Sequence, residues 1–361
     1  MKHGWFLVPF FTIVFGMGVV ACGSGPTNAT GDTELNLFAW SEYVPQSLLD
    51  GFTEETGIRV NYDAYASNEE MYAKISAGAS GYDLIQPSDY WVGVMSAQGL
   101  LQELDLTQVP NIANADPSLP YELFDPGHRY TVPYQWGSVS IAVNTEAIPG
   151  PITSYNDLWN PDFAGRIVVL DDNRQVIGMA LLALGFDPNT TNADELEQAK
   201  VRLLELVPGI RLFDSDTPST AMLSGETDIG LIWNGEAAIA HGENPAMNYV
   251  FPSEGAIFWY DNLAVTRDAP HVQAAHLFMN YVLRPEVSLL ITAEFPYSNP
   301  NLAALELLKT QDPAAYETYM SFPATNPPPE ALAVASVLKD VGEATAIYDR
   351  IWTEIKSATG G

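Results

Sequence analysis

Strand-like and helix-like patterns alternate along most of the chain, and this alternation limits the possible folds more than any other feature of the sequence. An apolar run at 35–39 is typical of a strand, and the spacing of Leu48 and Phe52 predicts a helix that ends at Gly57. Further strands are predicted at 58–62, 83–86, 167–170 and 229–233, and further helices at 71–75, 176–184, 272–282 and 341–355. Alternating strands and helices indicate α/β architecture, and two blocks of them, before and after residue 144, predict two lobes.

The N-terminal region has the features of a secretory signal peptide. A short basic start precedes an apolar run at 5–20, which is slightly short for a membrane span. The sequence Val19-Val20-Ala21-Cys22 resembles a bacterial lipobox, in which the cysteine is lipidated and becomes the new N-terminus. We therefore predict a signal peptide over 1–21, a flexible polar tether over 22–34, and a lipid-anchored protein on the periplasmic or cell-surface side of the cytoplasmic membrane. Ordinary secretion with a free or buried Cys22 is the alternative.

The charge balance excludes several kinds of partner. The 361 residues include 45 acidic and 15 basic side chains, for a net charge of -30. Such a negative surface repels phosphate backbones and anionic lipids, so we expect no nucleic-acid partner and no membrane contact except through the lipid anchor. A cationic ligand would be attracted. The single cysteine excludes an intramolecular disulfide and a cysteine-based zinc site, and we predict no metal and no cofactor.

Aromatic, acidic and hydroxyl side chains follow the ends of several predicted strands. The clusters lie at 40–43 (Trp-Ser-Glu-Tyr), 88–91 (Ser-Asp-Tyr-Trp), 171–172 (Asp-Asp), 233–234 (Trp-Asn) and 259–261 (Trp-Tyr-Asp). In open α/β sheets, ligands bind beyond the carboxyl ends of the strands. Any one cluster could simply pack in the core, but five of them describe a cleft lined with rings and carboxylates. Aromatic faces attract cations and desolvated carboxylates bind ammonium groups, so this cleft suits an extended amine.

A series of motifs runs in order through nearly all of the mature chain. The motifs include Phe38-Ala39-Trp40-Ser41-Glu42-Tyr43-Val44-Pro45, Ser67-Asn68-Glu69-Glu70-Met71-Tyr72, Val132-Pro133-Tyr134-Gln135-Trp136-Gly137, Ile232-Trp233-Asn234-Gly235, Ile257-Phe258-Trp259-Tyr260-Asp261-Asn262-Leu263 and Asn299-Pro300-Asn301-Leu302. This series resembles the spermidine/putrescine-binding proteins of polyamine ABC importers. The resemblance implies a type II periplasmic-binding fold, in which two α/β lobes close over a ligand in the hinge cleft. It places lobe 1 at 35–142 plus about 263–305, and lobe 2 at 143–262 plus about 306–361.

The resemblance also implies a set of ligand-binding residues. The family's aromatic box falls on Trp40, Tyr43, Tyr90, Trp233, Trp259 and Tyr297, its hydroxyl contacts on Ser41, Ser88 and Ser215, and its carboxylates on Glu42, Asp172 and Asp261. Two positions depart from the spermidine pattern, because Gln175 stands where a glutamate is usual and Leu338 where a glutamine is usual. Gln175 can accept a hydrogen bond but carries no charge, and Leu338 offers neither donor nor acceptor. Spermidine, putrescine, γ-aminobutyrate and other small amines therefore stay open as ligands.

By this resemblance, the function is extracytoplasmic capture of a polyamine and its delivery to an ABC permease. Contacts from both lobes would stabilise the closed form over the open form, so that ligand binding shifts this equilibrium. The ligand leaves chemically unchanged, and the protein is expected to be a monomer and not an enzyme. With one carboxylate fewer than the spermidine pattern, we expect putrescine to compete better against spermidine than the family name suggests.

Two other classes of function fit parts of the sequence. A secreted hydrolase could use paired carboxylates such as Asp171/Asp172 or Asp214/Asp216, but acids at this spacing more often cap helices or close turns. The chain contains neither a G-x-S-x-G nor an H-E-x-x-H motif. A structural surface protein would fit the acidic composition, but it would have no use for six rings at strand ends. A solute-binding protein is therefore the preferred hypothesis.

Overall fold

The computed structural model describes residues 31–41, 43–78 and 81–359, and it shows the expected α/β architecture. The strands of the described residues are β1 (Glu34–Trp40), β2 (Arg59–Tyr65), β3 (Leu84–Ile85), β4 (Thr131–Asn144), β5 (Ile167–Val169), β6 (Ile210–Phe213), β7 (Ile229–Trp233), β8 (Met247–Val250), β9 (Ile257–Val265) and β10 (Ser336–Val337). Their helices are α1 (Gln46–Thr56), α2 (Asn68–Ser76), α3 (Asp89–Ala97), α4 (Asn173–Ala183), α5 (Ala193–Leu206), α6 (Pro218–Leu223), α7 (Asn234–Glu243), α8 (Val272–Val282), α9 (Pro285–Glu294), α10 (Leu302–Gln311), α11 (Pro313–Ser321), α12 (Pro329–Ala333) and α13 (Thr345–Ala358).

The sheet consists of two parallel parts joined by two long antiparallel strands. Its order is β2-β1-β3-β9-β4-β7-β5-β6, with β10 beside β9 and β8 beside β4. In the first half, β1 pairs in parallel with β2 and β3, and in the second half β5 pairs in parallel with β6 and β7. Strands β4 and β9 pair antiparallel with each other and reach both halves, because β9 also pairs with β3 and β4 also pairs with β7. These two crossing strands therefore connect the halves.

Local sequence signals explain where several elements begin and end. Gly57 ends α1 in the left-handed conformation with φ 73°, which glycine adopts without a Cβ penalty. The Ser67 side chain caps α2 by accepting the Glu70 backbone N–H at 3.1 Å. The expected helix at 341–355 starts later than its periodicity predicts, at Thr345, because Gly342 has φ 55° and a short 3-10 turn at 342–344 comes first.

Most predicted elements are observed, and two of them have the predicted bounds: the strand 229–233 is β7, and the helix 272–282 is α8. One prediction is wrong. Trp259, Tyr260 and Asp261 do not follow a strand end but lie in the middle of β9, where every residue is buried. The apolar and aromatic run there continues as a strand because β4 pairs with β9 from Ile257 to Ala264.

Buried apolar side chains from strands and helices form the core of each half. In the second half, α13 packs its fully buried Tyr348, Ile351 and Ile355 towards α4 and α5, as its helical spacing predicts. The residue boundaries of the two lobes stay a prediction. Among the described residues, no helix has both the length and the apolar character needed to cross a membrane.

Candidate functional site

Four of the six predicted box residues form a continuous series of ring contacts. Trp233 meets Trp259 edge to face at 6.1 Å between ring centroids, Trp259 meets Tyr297 at 5.4 Å, and Tyr297 meets Tyr43 at 5.3 Å. Tyr43 follows β1, Trp233 ends β7 and Trp259 lies in β9, so these rings come from both halves and from a crossing strand. The structure thus brings these four rings into one aromatic chain, and their role as ligand contacts stays a prediction.

The other two predicted rings stand outside this aromatic chain. Trp40, the last residue of β1, packs on Tyr65 at 4.9 Å, and Tyr90, in the first turn of α3, packs on Trp91 at 5.6 Å. Both Trp40 and Tyr90 are half-buried. All six predicted rings nevertheless belong to or pack against one hydrophobic cluster.

Two glycines leave the space that these rings occupy. A Cβ on Gly137 of β4 would lie 2.5 Å from the Trp259 ring, and a Cβ on Gly235 of α7 would lie 2.6 Å from the Tyr297 ring. Contacts below 3.0 Å force the ring or the backbone to move, so neither position accepts a side chain while these rings keep their places. The glycines of the Gln135-Trp136-Gly137 and Trp233-Asn234-Gly235 motifs thus have a packing role beside the aromatic chain.

Asp261 supplies a buried carboxylate beside the rings. Its side chain is 6% exposed, and the Ser88 hydroxyl donates to its Oδ1 at 2.6 Å. Asn68 holds Ser88 in place, because its Nδ2 donates to the Ser88 Oγ at 3.0 Å. Burial raises the pKa of Asp261 to about 7, and the Ser88 hydrogen bond and an interaction with the Tyr43 hydroxyl offset part of this increase. The Tyr43 hydroxyl nevertheless makes no hydrogen bond of normal geometry.

No basic side chain of the described residues forms an ion pair with Asp261, although this carboxylate is buried. A buried carboxylate is costly unless it is paired and hydrogen-bonded. The site therefore favours a cation that brings its own donors, such as an ammonium group.

Asp172 provides a second carboxylate, on the second half. It caps α4, because its Oδ1 accepts the Gln175 backbone N–H at 2.9 Å. Burial raises the pKa of Asp172, while the Gln175 hydrogen bond and the positive charge of Arg174 lower it. Gln175 is buried in the first turn of α4, and its Oε1 accepts no hydrogen bond. Leu338, the other departure from the spermidine pattern, is buried in the core.

The remaining predicted residues differ in how well the structure places them. Ser41 lies in the turn after β1, and its backbone N–H donates to the Tyr65 carbonyl at 3.0 Å. The Ser215 carbonyl accepts the Trp233 indole N–H at 3.0 Å, which orients that ring. Glu42 and Cys22 were predicted as a ligand carboxylate and a lipidation site, and both lie outside the described residues.

Five of the predicted site residues carry a buried polar atom without a hydrogen-bond partner in the described structure. These atoms are Trp40 Nε1, Tyr43 Oη, Gln175 Oε1, Ser215 Oγ and Trp259 Nε1. Buried polar groups are satisfied in most folded proteins, so these five atoms have hydrogen-bonding capacity that a polar ligand could use.

The structure adds three acidic residues that the residue-by-residue prediction missed. Asp89 is buried in the first turn of α3, Glu236 is buried in α7, and Glu69 in α2 accepts the Tyr90 hydroxyl at 3.5 Å. Burial raises the pKa of all three carboxyls. Asp89 belongs to the strand-end cluster 88–91 and Glu69 to the motif 67–72, so closer reading of those two patterns could have found them.

The comparisons with known proteins agree with this geometry. The sequence pattern of the bacterial extracellular solute-binding proteins matches residues 47–321. The spermidine/putrescine-binding periplasmic protein of Salmonella typhimurium is 38% identical to this chain over 342 residues, which cover 94% of this chain and 96% of that protein.

Two solved structures are also similar. A putative spermidine/putrescine ABC transporter from Listeria monocytogenes gives a TM-score of 0.84 at 31% identity, covering 90% of this chain and 99% of that chain. The TpPotD lipoprotein of Treponema pallidum gives a TM-score of 0.78 at 29% identity, covering 89% and 99%. Two α/β halves joined by crossing strands are thus the type II fold of periplasmic binding proteins. The chain belongs to the family of bacterial extracellular solute-binding proteins.

Proposed function

We propose that this protein captures a polyamine, spermidine and/or putrescine, and delivers it to the permease of an ABC importer. The observation that carries the proposal is the buried, unpaired Asp261 carboxylate beside the Trp233–Trp259–Tyr297–Tyr43 series of rings. The relatives in Salmonella and Listeria, whose names state spermidine and putrescine, support the same substrate class.

The chemistry of a polyamine matches these groups one by one. A terminal ammonium would donate to Asp261 and lie against the ring faces, which attract cations. The methylene chain would pack on the indole and phenol rings, so that apolar area is removed from water on both sides. Asp172, with the Gln175 amide oxygen beside it, would bind a further amine from the second half.

The position of these groups also explains how the permease would distinguish the ligand-bound protein from the empty one. Tyr43 and Ser88 belong to the first half, Trp233 and Asp172 to the second, and Asp261 to a crossing strand. A ligand that contacts all of them is bound best when the halves are close together, so binding favours the closed form. The closed form would then be the one that the permease recognises, and the ligand is released unchanged.

A binding panel tests the proposal. Purified mature protein should be heated with spermidine, putrescine, spermine, cadaverine, γ-aminobutyrate or no ligand, and calorimetric titration should follow each hit. We expect spermidine or putrescine to raise the melting temperature in a concentration-dependent way, because a ligand that binds only the folded state stabilises it. Binding of γ-aminobutyrate without binding of any diamine or triamine would overturn the polyamine proposal.

The cellular position belongs to the same proposal. The family is extracellular or periplasmic, and we infer that this member is a monomer anchored to the outer side of the cytoplasmic membrane through a lipidated Cys22. The sequence Val19-Val20-Ala21-Cys22 supports the anchor, and the similar Treponema structure is that of a lipoprotein.

We also infer that the protein is not an enzyme. The paired carboxylates that a hydrolase could use serve local structure: Asp171 accepts a hydrogen bond from Lys356 Nζ at 2.8 Å, and Asp172 caps α4. Asp214 accepts the backbone N–H groups of Asp216 and Thr217 at 2.9 and 3.0 Å and so closes a turn. Unchanged spermidine and putrescine, recovered quantitatively after prolonged incubation with the protein, are the expected result.

A further inference from the structure

The side-chain amide of Asn68 forms two hydrogen bonds with a single residue, Ser88. Asn68 is the first residue of α2 and is 6% exposed. Its Oδ1 accepts the Ser88 backbone N–H at 3.2 Å, and its Nδ2 donates to the Ser88 Oγ at 3.0 Å. The same Oγ lies 2.6 Å from the Oδ1 of Asp261. A continuous series of hydrogen bonds therefore leads from Asn68 through Ser88 to the buried carboxylate.

The backbone N–H of Ser88 fixes the direction of every hydrogen bond in this series. A backbone N–H can only donate, so the Asn68 atom that faces it is the carbonyl oxygen, and the atom that faces the Ser88 hydroxyl is the amide nitrogen. An amide nitrogen donates and does not accept, so the Ser88 Oγ is the acceptor of that bond. The one hydroxyl proton of Ser88 is then left for Asp261.

The Ser88 backbone is held in place by contacts besides those with Asn68. Ser88 and Asp261 form an isolated antiparallel β-bridge, and the Asn262 backbone N–H donates to the Pro87 carbonyl at 3.1 Å. These contacts fix the 87–88 segment against β9. They do not fix the torsion of the Ser88 hydroxyl, which rotates to suit the donors and acceptors around it. The amide nitrogen of Asn68 supplies that orientation.

We propose that Asn68 is a positioning residue for ligand binding, which directs the Ser88 hydroxyl proton onto Asp261 and so keeps this side chain a carboxylate that can bind an ammonium group. The inference rests on the proposed polyamine function and deepens it. A hydrogen bond donated to a carboxylate favours its charged form, and the charged form is the one that pairs with an ammonium. At Asp261 this bond opposes the effect of burial, which raises the pKa.

Asn68→Asp tests the proposal, because it reverses the direction of the series with little change in shape. The replacement still accepts the Ser88 backbone N–H, but it offers the hydroxyl an acceptor where Asn68 offers a donor, so the hydroxyl proton turns away from Asp261. Calorimetric titrations with putrescine at pH 6, 7 and 8.5 measure the result, since primary alkylammonium groups lose their protons only at higher pH. We expect affinity to fall about tenfold at pH 6 and less than about threefold at pH 8.5, where Asp261 ionises without this help.

This pH profile separates positioning from two simpler effects. A replacement that acted only through its added negative charge would strengthen binding of the dication. A replacement that only disturbed the local structure would weaken binding equally at every pH. Either result would overturn the inference.

Other titratable groups interact electrostatically with Asp261 and can contribute to the profile. They are the hydroxyls of Tyr43, Tyr65, Tyr134 and Tyr297 and the carboxyl of Asp89. Burial raises the pKa of all four tyrosines, so they stay neutral up to pH 8.5. Burial raises the pKa of Asp89 as well, so Asn68→Asp is also measured in combination with Asp89→Asn. The pH-dependent loss should persist in this combination, and its disappearance would assign the effect to Asp89 instead.

A double-mutant cycle without any added charge shows whether Asn68 acts through Ser88. We expect Asn68→Ala to weaken putrescine binding about three- to fivefold in the wild type, but by less than about twofold in the Ser88→Ala background. Equal losses in the two backgrounds would overturn the inference, and this cycle decides alone if Asn68→Asp does not fold.

Asn301→Asp is the matched control for the buried exchange. Asn301 is 1% exposed, its Oδ1 accepts the Ala304 backbone N–H at 2.9 Å, and its Nδ2 donates to the Leu283 carbonyl at 2.8 Å. None of these three residues belongs to the predicted site, so the control should change affinity by less than about twofold at each pH. An effect as large as that of Asn68→Asp would contradict the proposal. Wild-type protein that binds no amine would instead overturn the proposed function itself.

Discussion

Replacing Asp261 with asparagine should strengthen the ligand-free fold and weaken ligand binding. Asp261 is buried, and its pKa rises from 3.8 to about 7, chiefly because burial disfavours the charged form. The folded protein therefore keeps a proton on Asp261 between about pH 4 and 7, where the unfolded chain has already released it. Stability falls as the pH rises through this window, because the unfolded chain releases this proton and the native state has to retain it; above about pH 7 the native state instead holds a buried charge.

The size of the effect follows from the two pKa values. About three units at 1.36 kcal/mol each give an ionisation cost of about 4 kcal/mol once the pH exceeds 7. At pH 5 the pH is only about one unit above the lower pKa. The raised pKa of Asp261 therefore lowers the free energy of unfolding by only about 2 kcal/mol at this pH. Asparagine carries no charge at any pH and still accepts the Ser88 hydroxyl. Its stability advantage over the wild type should thus grow by roughly 2 to 3 kcal/mol from pH 5 to pH 8.

Urea unfolding of ligand-free protein at pH 5, 6, 7 and 8 measures this difference. Asp162→Asn is the control, because it removes the same charge from an exposed position in the second half. Calorimetry at pH 7 should show that Asp261→Asn also loses at least tenfold in amine affinity, since removing one charge of a buried pair costs about 2–5 kcal/mol. A stability difference that stays flat from pH 5 to pH 8 would refute the burial argument. If Asp261→Asn stabilises the protein at pH 8 but binds the amine as well as the wild type does, Asp261 does not bind the ligand.

Three further predictions concern the rings, the departure at 175 and the anchor. Trp233→Ala and Trp259→Ala should each weaken amine binding at least a few-fold, given cation–π contributions of roughly 0.5–2 kcal/mol; unchanged titrations of two folded variants would exclude these rings. Gln175→Glu should improve spermidine affinity more than putrescine affinity, through a charge-assisted contact worth about 1–3 kcal/mol. If calorimetry shows equal gains for both amines, or none, this position does not sense ligand charge. Cys22→Ala should leave the protein unanchored or unprocessed in membrane fractionation, whereas wild-type protein found wholly in the soluble fraction with a free thiol would contradict the lipobox.

Local sequence patterns predict a helix or strand well where the pattern is simple, such as one apolar stripe that ends at a glycine or one short apolar run. The apolar stripe of α1 and its terminal Gly57, and the run of β7, appear where their periodicity places them. Periodicity does not predict β4 or the full length of β9, because both strands are buried on both faces and lack the alternation that marks a half-exposed strand. Long-range pairing between β4 and β9, which no local window contains, decided their length.

The α/β alternation, the acidic charge balance and, through the motifs, the residue types predicted for the site follow from local sequence alone. Which of these residues meet depends on contacts between distant segments. Ser88 and Asp261 lie 173 positions apart and form a 2.6 Å hydrogen bond, while Trp40 and Tyr90 make their ring contacts with Tyr65 and Trp91. The physical reason is that burial and charge pairing depend on neighbours from distant segments, whereas helix and strand preference depends on neighbours along the chain.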